Sequence, residues 1–243
     1  MAATEVGTTR GAQPVGTRLA LAGAVLYLLE WVAIVAAAPP GPLGPGTAAA
    51  TITSDYADHA GAAALSAAWF AVVLVGRVQF VAGVKASLRD HPRQRPLLDL
   101  ALGAMAISVV LEIAAYGIVA AAARLAADGS DPDLVVALDG GAYWLNLLIW
   151  GPVGMSVLAT GLAMLRSRLF APWLSWLGVV AGAAGVIGCL VAGATTDESG
   201  SGAAAGVTTV AALGMWVWML ATGVVLFRQS RADRSRPSAA ASG

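Results

Sequence analysis

Six stretches of the chain are long and apolar enough to cross a bilayer, a distance that takes about 20 residues of helix. They are residues 19–38, 61–84, 97–122, 135–165, 171–193 and 206–227. None shows the alternation of apolar and polar positions that a transmembrane β-strand requires. Turn-forming residues separate them: a Pro/Gly run at 39–46, and acidic breaks with Gly or Ser at 128–133 and 197–202. The pattern predicts an all-α fold, a bundle of six transmembrane helices over 17–228. Short polar tails at 1–16 and 229–243 are expected to be disordered. Ala36-Ala37-Ala38 before Pro39 imitates a signal-peptidase site. The apolar stretch ahead of it is long and carries Glu30, which fits an uncleaved helix better.

Composition narrows the class. Hydrophobic residues make up 58% of the 243 and charged residues 12%, about half of the roughly 25% that soluble domains carry. Mean hydropathy is +0.76. A soluble enzyme, a nucleic-acid-binding protein and a disordered scaffold are excluded. Cys189 is the single cysteine, so an intramolecular disulfide, a CxxC pair and a multi-cysteine metal cage are excluded too. Net charge is zero, but its placement is uneven. Arg10, Arg18, Lys85, Arg89, Arg93, Arg95, Arg166, Arg168 and the arginines from Arg228 onward flank one side of the spans. The alternate loops hold acids, with Arg124 as their one basic residue. By the positive-inside rule both termini are cytoplasmic, in a multi-pass protein of the plasma (cytoplasmic) membrane.

Ionisable side chains at membrane depth are costly and are functional candidates by default. Glu30, Arg77 and Glu112 lie well inside their spans. Counting about 1.5 Å per residue, Glu30 is about 18 Å from Arg18, Glu112 about 22 Å from Leu97, and Arg77 about 12 Å from Lys85. All three are expected to meet near the midplane. Two carboxyls and one guanidinium leave one acid without a partner. Arginine stays charged, so one carboxyl is expected to keep its proton and to be able to act as a general acid. The structural alternative is an Arg–Glu pair plus a hydrogen-bonded neutral Glu holding helices together.

The surrounding faces add polar and aromatic groups. Ser108, Glu112 and Tyr116 share one side of helix three, and Tyr27, Glu30 and Ile34 form a stripe on helix one. Asp139, Tyr143, Asn146 and Trp150 follow a single face of helix four. Eight Trp stand against four Phe, and Trp31, Trp150, Trp216 and Trp218 sit mid-span, away from the interfaces where Trp usually gathers. Their π faces suit a flat or unsaturated lipophile or a cation; bulky packing against Gly and Ala is the alternative. Gly151-Pro152 predicts a kink in helix four, and Gly178-x-x-x-Gly182 predicts close helix packing. Tyr27-x-x-Glu30 parallels Tyr143-x-x-Asn146, a faint sign of three-plus-three inverted symmetry.

Other signals are weaker. Asp55, Asp58 and His59 have helical spacing, but a solvated loop outweighs a metal site there, so no metal or cofactor is expected. His91 lies in the basic loop 85–95, which is expected to touch anionic membrane lipid. No P-loop, GxSxG, HExxH or Asp-rich diphosphate motif occurs, which disfavours an ATP-driven pump, a serine hydrolase, a zinc protease and a diphosphate-ionising prenyl transferase.

The segments RLALAGAVLYLL (18–29) and LAMLRSRLFAPWLSWLGVVAGAAGVIG (162–188) resemble a bacterial family of small polytopic membrane proteins defined only by a domain of unknown function. The resemblance spans roughly 18–190 and implies a six-helix bundle without an activity. In its ingredients the chain also looks like small membrane-bound terpene cyclases. The expected function is protonation-initiated cyclisation of a lipophilic isoprenoid-type substrate. Glu30 or Glu112 would be the acid, and Arg77 would hold the second carboxylate. Tyr27, Trp31, Ser108, Tyr116, Asp139, Tyr143, Asn146, Trp150 and Trp216 would line the pocket. The alternatives are a proton-coupled carrier or accessory protein, and a non-catalytic lipid-binding protein.

Overall fold

The computed structural model describes residues 13–194 and 198–235, all-helical with six apolar spans and, among the described residues, no strand. In chain order the helices are α1 (Gln13–Leu28), α2 (Glu30–Ala37), α3 (Ala49–Asp58), α4 (Ala60–Val73), α5 (Val75–Ser87), α6 (Arg95–Ala127), α7 (Pro132–Leu148), α8 (Trp150–Ser167), α9 (Pro172–Ala194) and α10 (Glu198–Ser235). A 3₁₀ turn, Pro92–Gln94, leads into α6. The helix of spans one, two and four is interrupted at one residue each: Leu29, Leu74 and Ile149.

The interruptions at Leu29 and Ile149 have identifiable causes. At the first, the Leu29 amide bonds to the Leu26 carbonyl and the Val32 amide to the Leu29 carbonyl, three residues back instead of four. The Trp69 indole N–H donates to that same Leu29 carbonyl at 2.8 Å. At the third, just ahead of the Gly151-Pro152 pair, Pro152 has no N–H to offer the Leu148 carbonyl. The Cys189 thiol of α9 turns to the freed carbonyl at 3.9 Å. At Leu74 the Arg77 amide takes the Leu74 carbonyl at 3.1 Å, with no proline nearby.

Two glycine seams join the bundle. A Cβ on Gly23 would stand 2.5 Å from the Gly76 carbonyl and the Phe80 amide, and one on Gly83 would collide with the Ala20 backbone. The α1 and α5 backbones therefore touch. Gly154 and Gly161 of α8 press in the same way on the backbone of α9. Small residues are how helices approach in lipid, where no hydrophobic drive separates them from their surroundings. Gly182 of the expected GxxxG lies in this second seam, and Gly178 makes room for the Trp218 ring.

The structure departs from expectation at the tails and in the first long loop. Residues 13–16 are helical, because Pro14 is tolerated in a first turn; residues 1–12 lie outside the described ones. The last helix continues through Ser235, with the Arg231 guanidinium 4.8 Å over the Phe227 ring. Residues 236–243 are outside the description, as is Asp197 of the break expected at 197–202; Glu198–Gly202 begin α10. The segment expected as a solvated loop folds as α3. Its Ile52 and Tyr56, one turn apart, are buried in a cluster with Val119, Ala122 and Ala123 of α6 and Val135 of α7. Asp55 and His59 face each other at 3.3 Å.

Candidate functional site

Arg77, on the first turn of α5, forms an ion pair with Glu112 of α6, with side chains 2% and 7% exposed. The Tyr27 ring lies against the same guanidinium, its centroid 4.9 Å from Cζ. Glu30 follows the first interruption directly. It is buried beside the Tyr27 hydroxyl and within the field of Arg77. Its Oε2 atom has no hydrogen-bond partner among the described residues.

These groups surround a cavity of about 370 Å³, within the roughly 300–1,000 Å³ typical of small-molecule sites. Tyr27, Glu30, Arg77, Glu112 and Tyr116 line it from spans one to three, Tyr143, Asn146 and Trp150 from span four, and Trp216 from α10. The Tyr27-x-x-Glu30 and Tyr143-x-x-Asn146 pairs thus open onto one space. Behind the cavity wall, the Tyr116 ring meets the Phe70 ring at a tilt, with centroids 4.1 Å apart.

Three expected lining residues, Ser108, Trp31 and Asp139, are elsewhere, as is the mid-span Trp218. Ser108 is fully buried and returns its hydroxyl to the Met105 carbonyl at 2.7 Å, a bond within its own helix. Trp31 faces outward, 39% exposed, and meets the cavity only through an edge contact with Trp216 at 4.6 Å. Trp218 is packed at 5.1 Å from Phe80, away from the cavity. Asp139 shares the helical face of Tyr143 and Asn146, but the chain after span one intervenes. Its carboxylate accepts the Leu43 and Gly44 amides, each at 2.9 Å, and the Tyr56 hydroxyl at 2.7 Å. Gly44 has φ +78°, and the Tyr143 ring occupies the space a side chain there would need. Asp139 therefore straps the first long loop across span four. Burial, then the bond to Asp139, raises the Tyr56 hydroxyl above its usual pKa.

The strap also supplies Pro42 to the cavity wall, and α10 supplies Thr208 and Ala212. Sequence reasoning missed all three. Thr208 carried the only available signal, a polar residue inside an apolar span.

The family described as "Domain of unknown function (DUF4386)" matches residues 21–223. Among curated proteins and among solved structures, nothing matches.

Proposed function

The chain belongs to the DUF4386 family, whose description assigns no activity, and from the cavity we propose a membrane enzyme that protonates a lipophilic, isoprenoid-type substrate to start its cyclisation. The unequal state of the two acids carries this reading. Arg77 is paired with Glu112, whereas Glu30 faces the same cavity with no ion pair among the described residues. A buried carboxyl without a cation of its own keeps its proton and can donate it. In the step, the Glu30 O–H bond breaks and an alkene π pair forms a C–H bond, leaving a carbocation and a carboxylate. With an epoxide the proton goes to oxygen and a C–O bond opens. A second alkene closes the ring, and a neighbouring carbon returns its proton to Glu30, so the reaction is a net isomerisation. Tyr27, Tyr116, Trp150 and Trp216 offer π faces to the cation.

The test is incubation of the full chain in lipid nanodiscs with polyprenyl alkenes and their terminal epoxides, followed by gas chromatography and mass spectrometry. Cyclised isomers of unchanged mass are expected. Their yield should fall at least about 100-fold in Glu30→Gln, the size of a general-acid contribution, with no change in melting temperature. Absence of any isomer across the probes overturns the reading.

The second reading is a proton-coupled carrier for the same ligand class. It is favoured by the one-residue helix interruptions at Leu29, Leu74 and Ile149, since interrupted helices around a midplane site are a transporter feature. Uptake into proteoliposomes driven by a pH gradient, with no isomer formed, would identify it. Saturable binding with neither uptake nor product would identify a non-catalytic lipid-binding protein.

A further inference from the structure

A second cavity, of about 360 Å³, opens where the end of α5 meets the start of α6. Lys85 on its rim is eight residues beyond Arg77, about 12 Å along the helix, so the two cavities occupy different levels of the bundle. The second lies where span two ends and the membrane's headgroup layer begins. Its rim carries Lys85, Arg89, His91 and Arg95, and its floor is Ala82, Ala86, Leu98 and Leu102.

The rim has a definite charge preference. Lys85 meets Asp99 at 2.5 Å and Arg89 meets Asp90 at 3.6 Å, but both acids are more than half exposed and neither lines the cavity. Among the described residues no carboxylate faces inward, so they offer nothing to receive a choline or ammonium group. Arg95, the first residue of α6, adds a third cation to the rim. His91 Nδ1 is buried and has no hydrogen-bond partner among the described residues. The apolar floor decides between sources of that anion. A free phosphate would leave Leu102 and Ala82 against water, whereas a lipid phosphate brings an acyl chain to cover them.

We propose that this crotch binds one anionic glycerophospholipid, its phosphate held by Arg89, His91 and Arg95 and one acyl chain laid along Ala82, Leu98 and Leu102. The site is independent of the acid cavity, and its occupancy does not depend on what reaction, if any, Glu30 performs.

Native mass spectrometry of the delipidated full chain in detergent, titrated with phosphatidylglycerol and separately with phosphatidylcholine, tests it. One phosphatidylglycerol should bind in preference to phosphatidylcholine. Arg95→Gln should weaken it about fivefold, the effect of one interfacial charge, and Arg89→Gln with Arg95→Gln should weaken it further. Ala82→Phe keeps every charge and fills the floor. It should weaken binding too, which separates loss of the site from loss of the fold when the melting temperature is unchanged. Equal binding of the two lipids, full retention in the double variant, or displacement of the lipid by inorganic phosphate alone would overturn the proposal.

Discussion

Arg77 and Glu112 neutralise each other at the centre of the bundle, and Glu30 stands across the same cavity without a cation of its own. The two glutamates should therefore respond differently to the same change. Glu112→Gln leaves a buried guanidinium unpaired, which costs about 3–5 kcal/mol. Glu30→Gln removes no ion pair and should cost less than about 1 kcal/mol, within the range of a single neutral hydrogen bond. Unfolding in detergent measures both. The double change Arg77→Met with Glu112→Met should recover most of the loss, since replacing a whole buried pair is often neutral. Equal losses for the two single variants would contradict the assignment of the pair.

The glycine seams make a second contrast. Gly83 faces the Ala20 backbone and Gly154 the Gly182 carbonyl, whereas Gly103 and Gly117 have open space beyond their Cα atoms. Gly83→Ala or Gly154→Ala forces two backbones apart and should cost at least about 1–3 kcal/mol, as overpacking does. Gly103→Ala and Gly117→Ala should be neutral or stabilising by up to about 1 kcal/mol, the helix-propensity difference. Thermal melting of the four variants in one detergent checks the sign of each.

Physical range explains what was legible in the sequence. The six spans follow from local apolar length, and Glu30, Arg77 and Glu112 stood out because a charge at that depth needs a reason. The interruption at Ile149 was visible because its cause, Pro152, is local. The interruption at Leu29 was not, because the indole that takes its carbonyl belongs to Trp69, forty residues away. Asp139 was grouped with Tyr143 and Asn146 because helical spacing gives a face and not a neighbour. What meets Asp139 is the strap from Leu43 and Gly44, and the helix α3 behind it is too short and polar to announce itself. Ser108 shows the converse: a hydroxyl in a span can be satisfied by its own helix.

The strap depends on one carboxylate. Asp139→Ala removes the acceptor for the Leu43 and Gly44 amides and for the Tyr56 hydroxyl together. Hydrogen bonds to a charged group contribute about 1.5–3 kcal/mol each, so local opening of the strap should become easier by at least one such bond. Hydrogen exchange of the Leu43 and Gly44 amides should accelerate at least about tenfold, with amides in the α8–α9 seam unchanged. Unchanged exchange at Leu43 and Gly44 would mean that Asp139 does not fasten this loop.

Tyr56 gives the same strap a pH limit. Its hydroxyl is buried and bonded to Asp139, and burial first, then that bond, raises its folded pKa above the ordinary value of about 10. A group that holds its proton more tightly when folded stabilises the fold fully below its unfolded pKa. That contribution is lost as pH rises from there through the folded value. The strap should therefore keep its protection from neutral pH to about pH 10 and weaken above it. Tyr56→Phe has no proton to lose. Its strap should be weaker at neutral pH, and the gap between the two proteins should close as pH rises above 10, a difference that cancels the titration of every other group. Proteolysis of the 39–48 segment over an alkaline series, wild type against Tyr56→Phe, reads that gap directly. A gap that stays constant with pH would show that the hydroxyl's bond to Asp139 does not control the strap.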